Sequence, residues 1–78
     1  MKVICFAGLR KYFGSETEVE IAGDATFKNI LEELAVSNPD AKEVLGSCRI
    51  AVGEQFVSLD KEVSSVSTVY LIPPSSGG

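Results

Sequence analysis

The chain has 78 residues and a formal net charge of −4, from 11 acidic against 7 basic side chains. This acidity repels phosphate backbones and disfavours nucleic-acid binding. The sequence contains no histidine, which excludes Ser-His-Asp and Cys-His catalytic systems within the chain. A single domain of this size also has no room for a deep cleft with a full set of catalytic groups.

The first quarter of the chain predicts a β-hairpin. The short apolar run at 2–7 is typical of a buried strand. The segment 8–14 predicts a turn, in which Leu9 and Phe13 fold back onto the body of the domain. Polar and apolar residues alternate over 16–21, which is the period of a second strand.

A helix is predicted next. Thr26 stands at a favourable N-cap position. The helix ends at 38–39, because proline disfavours helical geometry in the residue before it. One further helical turn is predicted at 41–45, closed by Gly46. The apolar stripe of the main helix has the spacing i, i+3, i+4, i+7 and consists of Phe27, Ile30, Leu31 and Leu34.

The last part of the chain predicts three strands. A strand at 49–52 is followed by a tight turn at 53–55 and a return strand at 56–59. A polar loop at 60–67 leads to the apolar strand 68–72, which we expect to lie centrally beside the first strand. The order β-β-α-β-β-β predicts an α+β fold: a mixed sheet of about five strands with one main helix on one face.

Cys5 and Cys48 form no CxxC motif and have no metal-ligand spacing. Cys5 lies in an apolar run, where a buried, inert thiol is expected, and a disulfide between the two is disfavoured without a secretory context. We expect no metal site. No signal peptide or membrane-length apolar run is found, so the sequence predicts a cytoplasmic protein that does not bind membranes.

The C-terminal segment 73–78, called the tail, is predicted to be flexible, and residues 1–72 are predicted to form the domain. Pro73 cannot donate to a sheet and therefore ends the last strand. Gly77 and Gly78 have no Cβ, so such an end could enter a channel too narrow for other residues. One interpretation is that the tail presents a carboxylate for chemistry, and the other is a frayed or engineered end.

The order of elements resembles the β-grasp, or ubiquitin-like, fold. The opening KVICFAGLRKYFG and the helix after DATFKNILEEL are similar to the small sulfur-carrying subunits of molybdopterin synthase, in the MoaD/ThiS-like family. The most specific similarity is the ending, an apolar strand followed by Pro73-Pro74, two spacers and a Gly-Gly pair. The chain departs from the family at Gly8, at Gly53, where asparagine is usual, and at Ser75, where an apolar residue is usual.

The resemblance implies that Gly78 is the reacting residue. A ubiquitin-activating-type adenylyltransferase would adenylate it at the expense of ATP, and a sulfur donor protein would convert it to a thiocarboxylate. The sulfur would then pass to a pyranopterin on the large catalytic subunit, in a heterotetrameric synthase. Threading into the partner would involve Pro73, Pro74, Ser75, Ser76 and Gly77. The carrier would hold no permanent cofactor and no complete active site, so its status as an enzyme stays open.

Docking would require a second surface. By strand parity, the helix should cover Val3, Cys5, Val69 and Leu71. Phe6, Phe56 and Ile72 could then form an exposed apolar patch near the tail, at positions that the resemblance assigns to the synthase interface. The alternative is that these three side chains pack under loops.

Three other functions are compatible with the sequence. The protein could carry sulfur for thiazole or for another thiolated product. It could be a ubiquitin-like modifier joined through Gly78 to lysines of other proteins. It could also be a β-grasp interaction module with an idle tail.

Overall fold

The computed structural model describes residues 1–74, in which five strands form one mixed sheet. The order across the sheet is β2-β1-β5-β3-β4. The strands are β1 (Lys2–Cys5), β2 (Glu16–Glu18), β3 (Arg49–Val52), β4 (Gln55–Phe56) and β5 (Thr68–Ile72). This is the predicted β-grasp architecture, and the prediction of the α+β fold class is confirmed.

The last strand lies at the centre of the sheet, as predicted. β5 runs parallel to β1, with Lys2 opposite Thr68 and Cys5 opposite Leu71. Its other edge pairs antiparallel with β3, so that Arg49 lies opposite Ile72. Because β5 is hydrogen-bonded along both edges, the point at which the tail begins is held by the middle of the sheet.

The main helix, α2 (Phe27–Ser37), packs on one face of this sheet. Asn29 Oδ1 accepts hydrogen bonds from the Thr26 N–H at 2.8 Å and from the Thr26 hydroxyl at 3.2 Å, which stabilises the first turn. Asn38, the residue before Pro39, is extended and ends the helix. A 3-10 turn (Pro39–Ala41) follows, which was not predicted, and then α3 (Lys42–Leu45), which confirms the further helical turn predicted at 41–45.

The hydrophobic core lies between this sheet face and α2. The side chains that were predicted to lie beneath the helix are almost completely buried. This confirms the predicted face for alternate residues of β1 and β5. The apolar stripe of α2 is buried against them. The core residues that are at most 2% exposed on these elements are Val3, Cys5, Phe27, Ile30, Leu34, Ile50, Val69 and Leu71.

The predicted turn at 8–14 is wrong. The segment forms a 3-10 turn (Ala7–Leu9) and then a short helix, α1 (Arg10–Phe13). Leu9 is fully buried and Phe13 packs on the core, as predicted. These apolar side chains are four residues apart, which a helical turn brings to one side.

Two predicted strands are shorter than expected. β2 ends at Glu18 rather than at residue 21, with Val19 bonded only to the main chain of Met1. β4 covers Gln55–Phe56 instead of 56–59, after a two-residue turn. The chain leaves the sheet there because the Leu59 carbonyl accepts a 2.9 Å hydrogen bond from the Lys28 N–H. That amide belongs to the first turn of α2, where main-chain donors have no partner within the helix.

Gly53 in the β3–β4 turn allows a test of backbone strain. Its φ is +62°, a left-handed conformation, and a Cβ at this position would meet nothing within 4 Å. We expect Gly53→Val to lower the free energy of unfolding by about 1–2 kcal/mol through the backbone alone. Gly53→Asn should cost less, because asparagine tolerates this region. Urea denaturation measures both, and equal losses for the two variants would contradict this origin.

Burial of the two free thiols predicts a pH dependence of stability. Burial raises the pKa of Cys48 from 9.0 to about 11, with the nearby Cys5 adding to the effect. Above pH 9 the unfolded chain therefore loses a proton that the folded chain retains, so stability should fall as the pH rises from 9 to 11. The difference in unfolding free energy between wild type and Cys48→Ala, followed across this range, isolates the thiol from lysine and tyrosine titration. A constant difference would contradict the prediction.

Within residues 1–74, no helix is both long and apolar enough to cross a bilayer.

Candidate docking face and tail base

The sheet face opposite α2 carries a strip of apolar side chains. Register places the side chains on this side, because residues opposite each other in neighbouring strands point the same way. Ile4 lies opposite Tyr70, Tyr70 opposite Ala51, and Ala51 opposite Phe56. We call this side of the sheet the open face. It consists of Arg49 and the apolar residues Ile4, Phe6, Ala51, Phe56, Tyr70 and Ile72.

Aromatic side chains dominate the open face. The Phe6 and Tyr70 rings stack with their centroids 6.0 Å apart and their planes at 28°. Phe56 is 58% exposed, which is unusual for a phenylalanine in a small domain. A phenylalanine held on a sheet with more than half its surface in water is a ready contact for an apolar partner surface.

Two charged groups lie on this side of the sheet. At the β2 edge, Lys2 Nζ lies 3.6 Å from a carboxylate oxygen of Glu16. On β3, the Arg49 guanidinium lies over the Phe56 ring, 5.1 Å from its centroid. This distance is within the range of a cation–π interaction.

The base of the tail lies beside α3. Pro73 is half-buried and Pro74 is exposed, directly after β5. A shallow groove at this point is lined by Tyr12, Asp40, Glu43, Val44, Ser47 and Pro74. The tail therefore starts at one end of the open face, next to Ile72.

The three residues predicted to form the apolar patch lie on the same side of the sheet. Phe56 is exposed, whereas Phe6 and Ile72 are half-buried, and the Phe6 ring stacks on Tyr70. Sequence reasoning did not select Tyr70, although it shares the parity of Ile72. It also missed Arg49, since only the antiparallel register places Arg49 next to Ile72.

Gly78, the predicted reacting residue, lies outside the described residues, and so do Ser75, Ser76 and Gly77, which were predicted to thread into the partner. Among residues 1–74, no three His, Cys, Asp or Glu side chains are grouped so that they could hold a metal ion. The chemistry that the described surface supports is recognition, by apolar contact and by a stacked cation.

A comparison of the sequence with protein-family models finds a match over almost the whole chain. A model described as the ThiS family matches residues 3–78, which include the tail. Among curated proteins, none matches the sequence.

Solved structures show the same fold. A putative molybdopterin converting factor, subunit 1, from Pyrococcus furiosus is 29% identical, with a TM-score of 0.79 and 95% of each chain covered. SAMP1 from Haloferax volcanii is 23% identical, with a TM-score of 0.78 and coverage of 99% of this chain and 97% of its own. A second structure of that small archaeal modifier protein 1 is 19% identical, with a TM-score of 0.78 and 95% of each chain covered.

Proposed function

The chain belongs to the ThiS family, and on that premise we propose that it is the sulfur carrier subunit of a molybdopterin synthase. The observation that carries the proposal is the extent of the family match, which runs through Gly77 and Gly78. The choice of pathway is supported by the similarity to the Pyrococcus furiosus protein and by the Pro73-Pro74 pair before the glycines.

In this proposal, Gly78 reacts in two steps on partner proteins. Its carboxylate oxygen first attacks the α-phosphorus of ATP, and pyrophosphate leaves. Hydrosulfide supplied by a sulfur donor then attacks the acyl carbon and displaces AMP, which leaves a thiocarboxylate and releases a proton. Adenylation is needed because a carboxylate anion resists nucleophilic attack, whereas AMP is a good leaving group. ATP is consumed by the activating enzyme, and the carrier holds no permanent cofactor.

The partners supply what this chain lacks. With no histidine in the sequence, the general acids and bases for adenylation would come from the adenylyltransferase. The large catalytic subunit would bind the pyranopterin and receive the sulfur that becomes part of its dithiolene. We propose a heterotetramer in which each small subunit inserts its tail into a large one.

The described residues support the delivery of such a tail. β5 is held along both edges, so the tail starts from a rigid position. Proline fixes φ at Pro73 and Pro74, which reduces the conformational entropy lost when the tail is inserted. The open face begins beside this point and provides the contact area that a short tail cannot.

The test is the intact mass of the protein purified from its native host, followed by a reconstituted reaction. A thiocarboxylate shows as the mass gained when one oxygen is replaced by sulfur. Purified thiocarboxylated protein, mixed with the host's large subunit and the pyranopterin precursor, should yield molybdopterin. A thiocarboxylate that yields none would indicate thiazole or another thiolated product. Isopeptide-linked species without thiocarboxylate would indicate a protein modifier, and neither species would indicate an idle tail.

A further inference from the structure

We propose that Arg49, positioned over the Phe56 ring, is the charged residue of the open face that binds a carboxylate on the adenylyltransferase. The inference rests on the proposed function, because it takes that enzyme as the partner that docks here.

The position of Arg49 puts a cation at the start of the tail. Arg49 lies opposite Ile72, the last residue of β5, and it is exposed. A partner that covers the open face and also receives the tail must therefore pass over Arg49. Any group of the partner at this point lies next to the guanidinium.

The contact with Phe56 prepares the guanidinium for a planar acceptor. The central carbon of the guanidinium lies over the aromatic ring, 5.1 Å from its centroid, and Arg49 is exposed. Guanidinium stacks on aromatic faces and binds carboxylates through two parallel hydrogen bonds. Stacking also removes part of the rotamer freedom that a surface arginine would otherwise lose on binding.

The distribution of charge on this side of the sheet favours a single orientation of the partner. Across residues 1–74 the structure shows one ion pair, between Lys2 and Glu16 at the β2 edge, and Glu18 is exposed on the same strand. Arg49 lies on β3, three strand spacings away, or roughly 14 Å. The apolar centre gives no direction by itself, whereas Arg49 on β3 and the exposed Glu18 carboxylate at the β2 edge differ in charge and favour one orientation of the partner.

A carboxylate of the partner fits Arg49 better than the phosphates of ATP. Those phosphates must be reached by Gly78, at the end of six tail residues that span up to roughly 20 Å. Arg49 is instead beside the base of the tail, where the partner's surface rather than its nucleotide lies. A protein carboxylate in an apolar surround is therefore the expected acceptor.

The experiment compares binding of the host's purified adenylyltransferase to the wild-type chain and to Arg49→Ala, Arg49→Lys and Arg49→Glu. The matched control is Lys42→Glu, which changes the charge of an exposed lysine on α3, on the helical side of the sheet. We expect the Kd to rise about tenfold for Arg49→Ala and about a hundredfold for Arg49→Glu, and to stay within about twofold for Lys42→Glu. Arg49→Lys should fall between wild type and Arg49→Ala, because it keeps the charge and loses the planar fork.

The outcomes separate this inference from the proposed function. Normal binding by wild type, with Arg49→Ala and Arg49→Glu no weaker than Lys42→Glu, overturns the role of Arg49 and leaves the carrier function standing. Unchanged Kd together with slower ATP–pyrophosphate exchange at saturating Arg49→Ala would assign Arg49 to the nucleotide and overturn the carboxylate contact. No binding or adenylation of wild type overturns the proposed function and this inference with it.

Discussion

Deletion of Gly78 is expected to abolish adenylation while leaving the folded domain unchanged. The new terminal carboxylate, on Gly77, would stop about 3.5 Å short of the α-phosphate. Reacting atoms must approach to about 3–3.5 Å, and an error of 1 Å can reduce the rate about a hundredfold. We therefore expect the rate of ATP–pyrophosphate exchange with the host's adenylyltransferase to fall by on the order of a thousandfold or more.

Two variants control this experiment. Ser76→Ala keeps the length of the tail and should keep most of the exchange rate. Gly77→Val also keeps the length, but it adds a branched side chain next to the reacting residue, so it should fail if the partner's channel is narrow. Thermal unfolding midpoints should match wild type for all three. Exchange at the wild-type rate after deletion of Gly78 would eliminate the carrier mechanism.

Phe27→Ala is expected to cause the largest loss of stability of any single truncation in the domain. Phe27 is the largest of the fully buried side chains, at 1% exposure, and it lies where α2 meets the sheet. Removing a buried phenylalanine side chain typically costs about 4 kcal/mol, because the cavity does not fully collapse. A domain of 78 residues has a total stability of roughly 4–12 kcal/mol. The variant should therefore lose at least about a third of the stability of the domain, measured as the free energy of unfolding in urea.

Phe56→Ala is the matched control for this substitution. It removes the same atoms from a side chain that is 58% exposed, so the unfolding free energy should change by less than about 1 kcal/mol. The same variant should weaken binding of the adenylyltransferase, since Phe56 lies on the open face. Similar losses of stability at the two positions would contradict the division of the sheet into a core face and an open face.

The secondary structure was most predictable where a segment had a single clear periodicity or an unambiguous apolar composition. The stripe of α2 has a single helical period and a capping residue at Thr26, and its prediction was confirmed. The central place of β5 followed from its apolar composition. The short helix α1 was missed because the two glycines around it suggested a turn, although Leu9 and Phe13 already had helical spacing.

The limits of β4 could not be predicted from local pattern. Residues 56–59 have the composition of a strand, but the Leu59 carbonyl is needed by the first turn of α2, which lies distant in sequence. A hydrogen bond between segments so far apart leaves no local signal. The competition between sheet and helix for that carbonyl is visible only in the folded structure.

For the candidate site, parity placed Phe6 and Ile72 on one side of the sheet. It could not place Arg49 and Phe56 next to each other, because that contact depends on how β3 and β4 are paired and on how β3 meets β5. The role of the tail was inferred from residue types and resemblance alone, and it stays a prediction.

The parallel pairing of β1 with β5 determines when the chain can complete its sheet during synthesis. Lys2 pairs with Thr68, so the central contacts of the sheet join residues near opposite ends of the domain. Strand β1 therefore has a neighbour on both sides only after β5 has been synthesised. Such long-range pairing delays folding until the second partner is available. A chain that is still on the ribosome, or that was interrupted before β5, cannot complete its open face. A partner that binds the completed open face would therefore bind only chains that extend through β5.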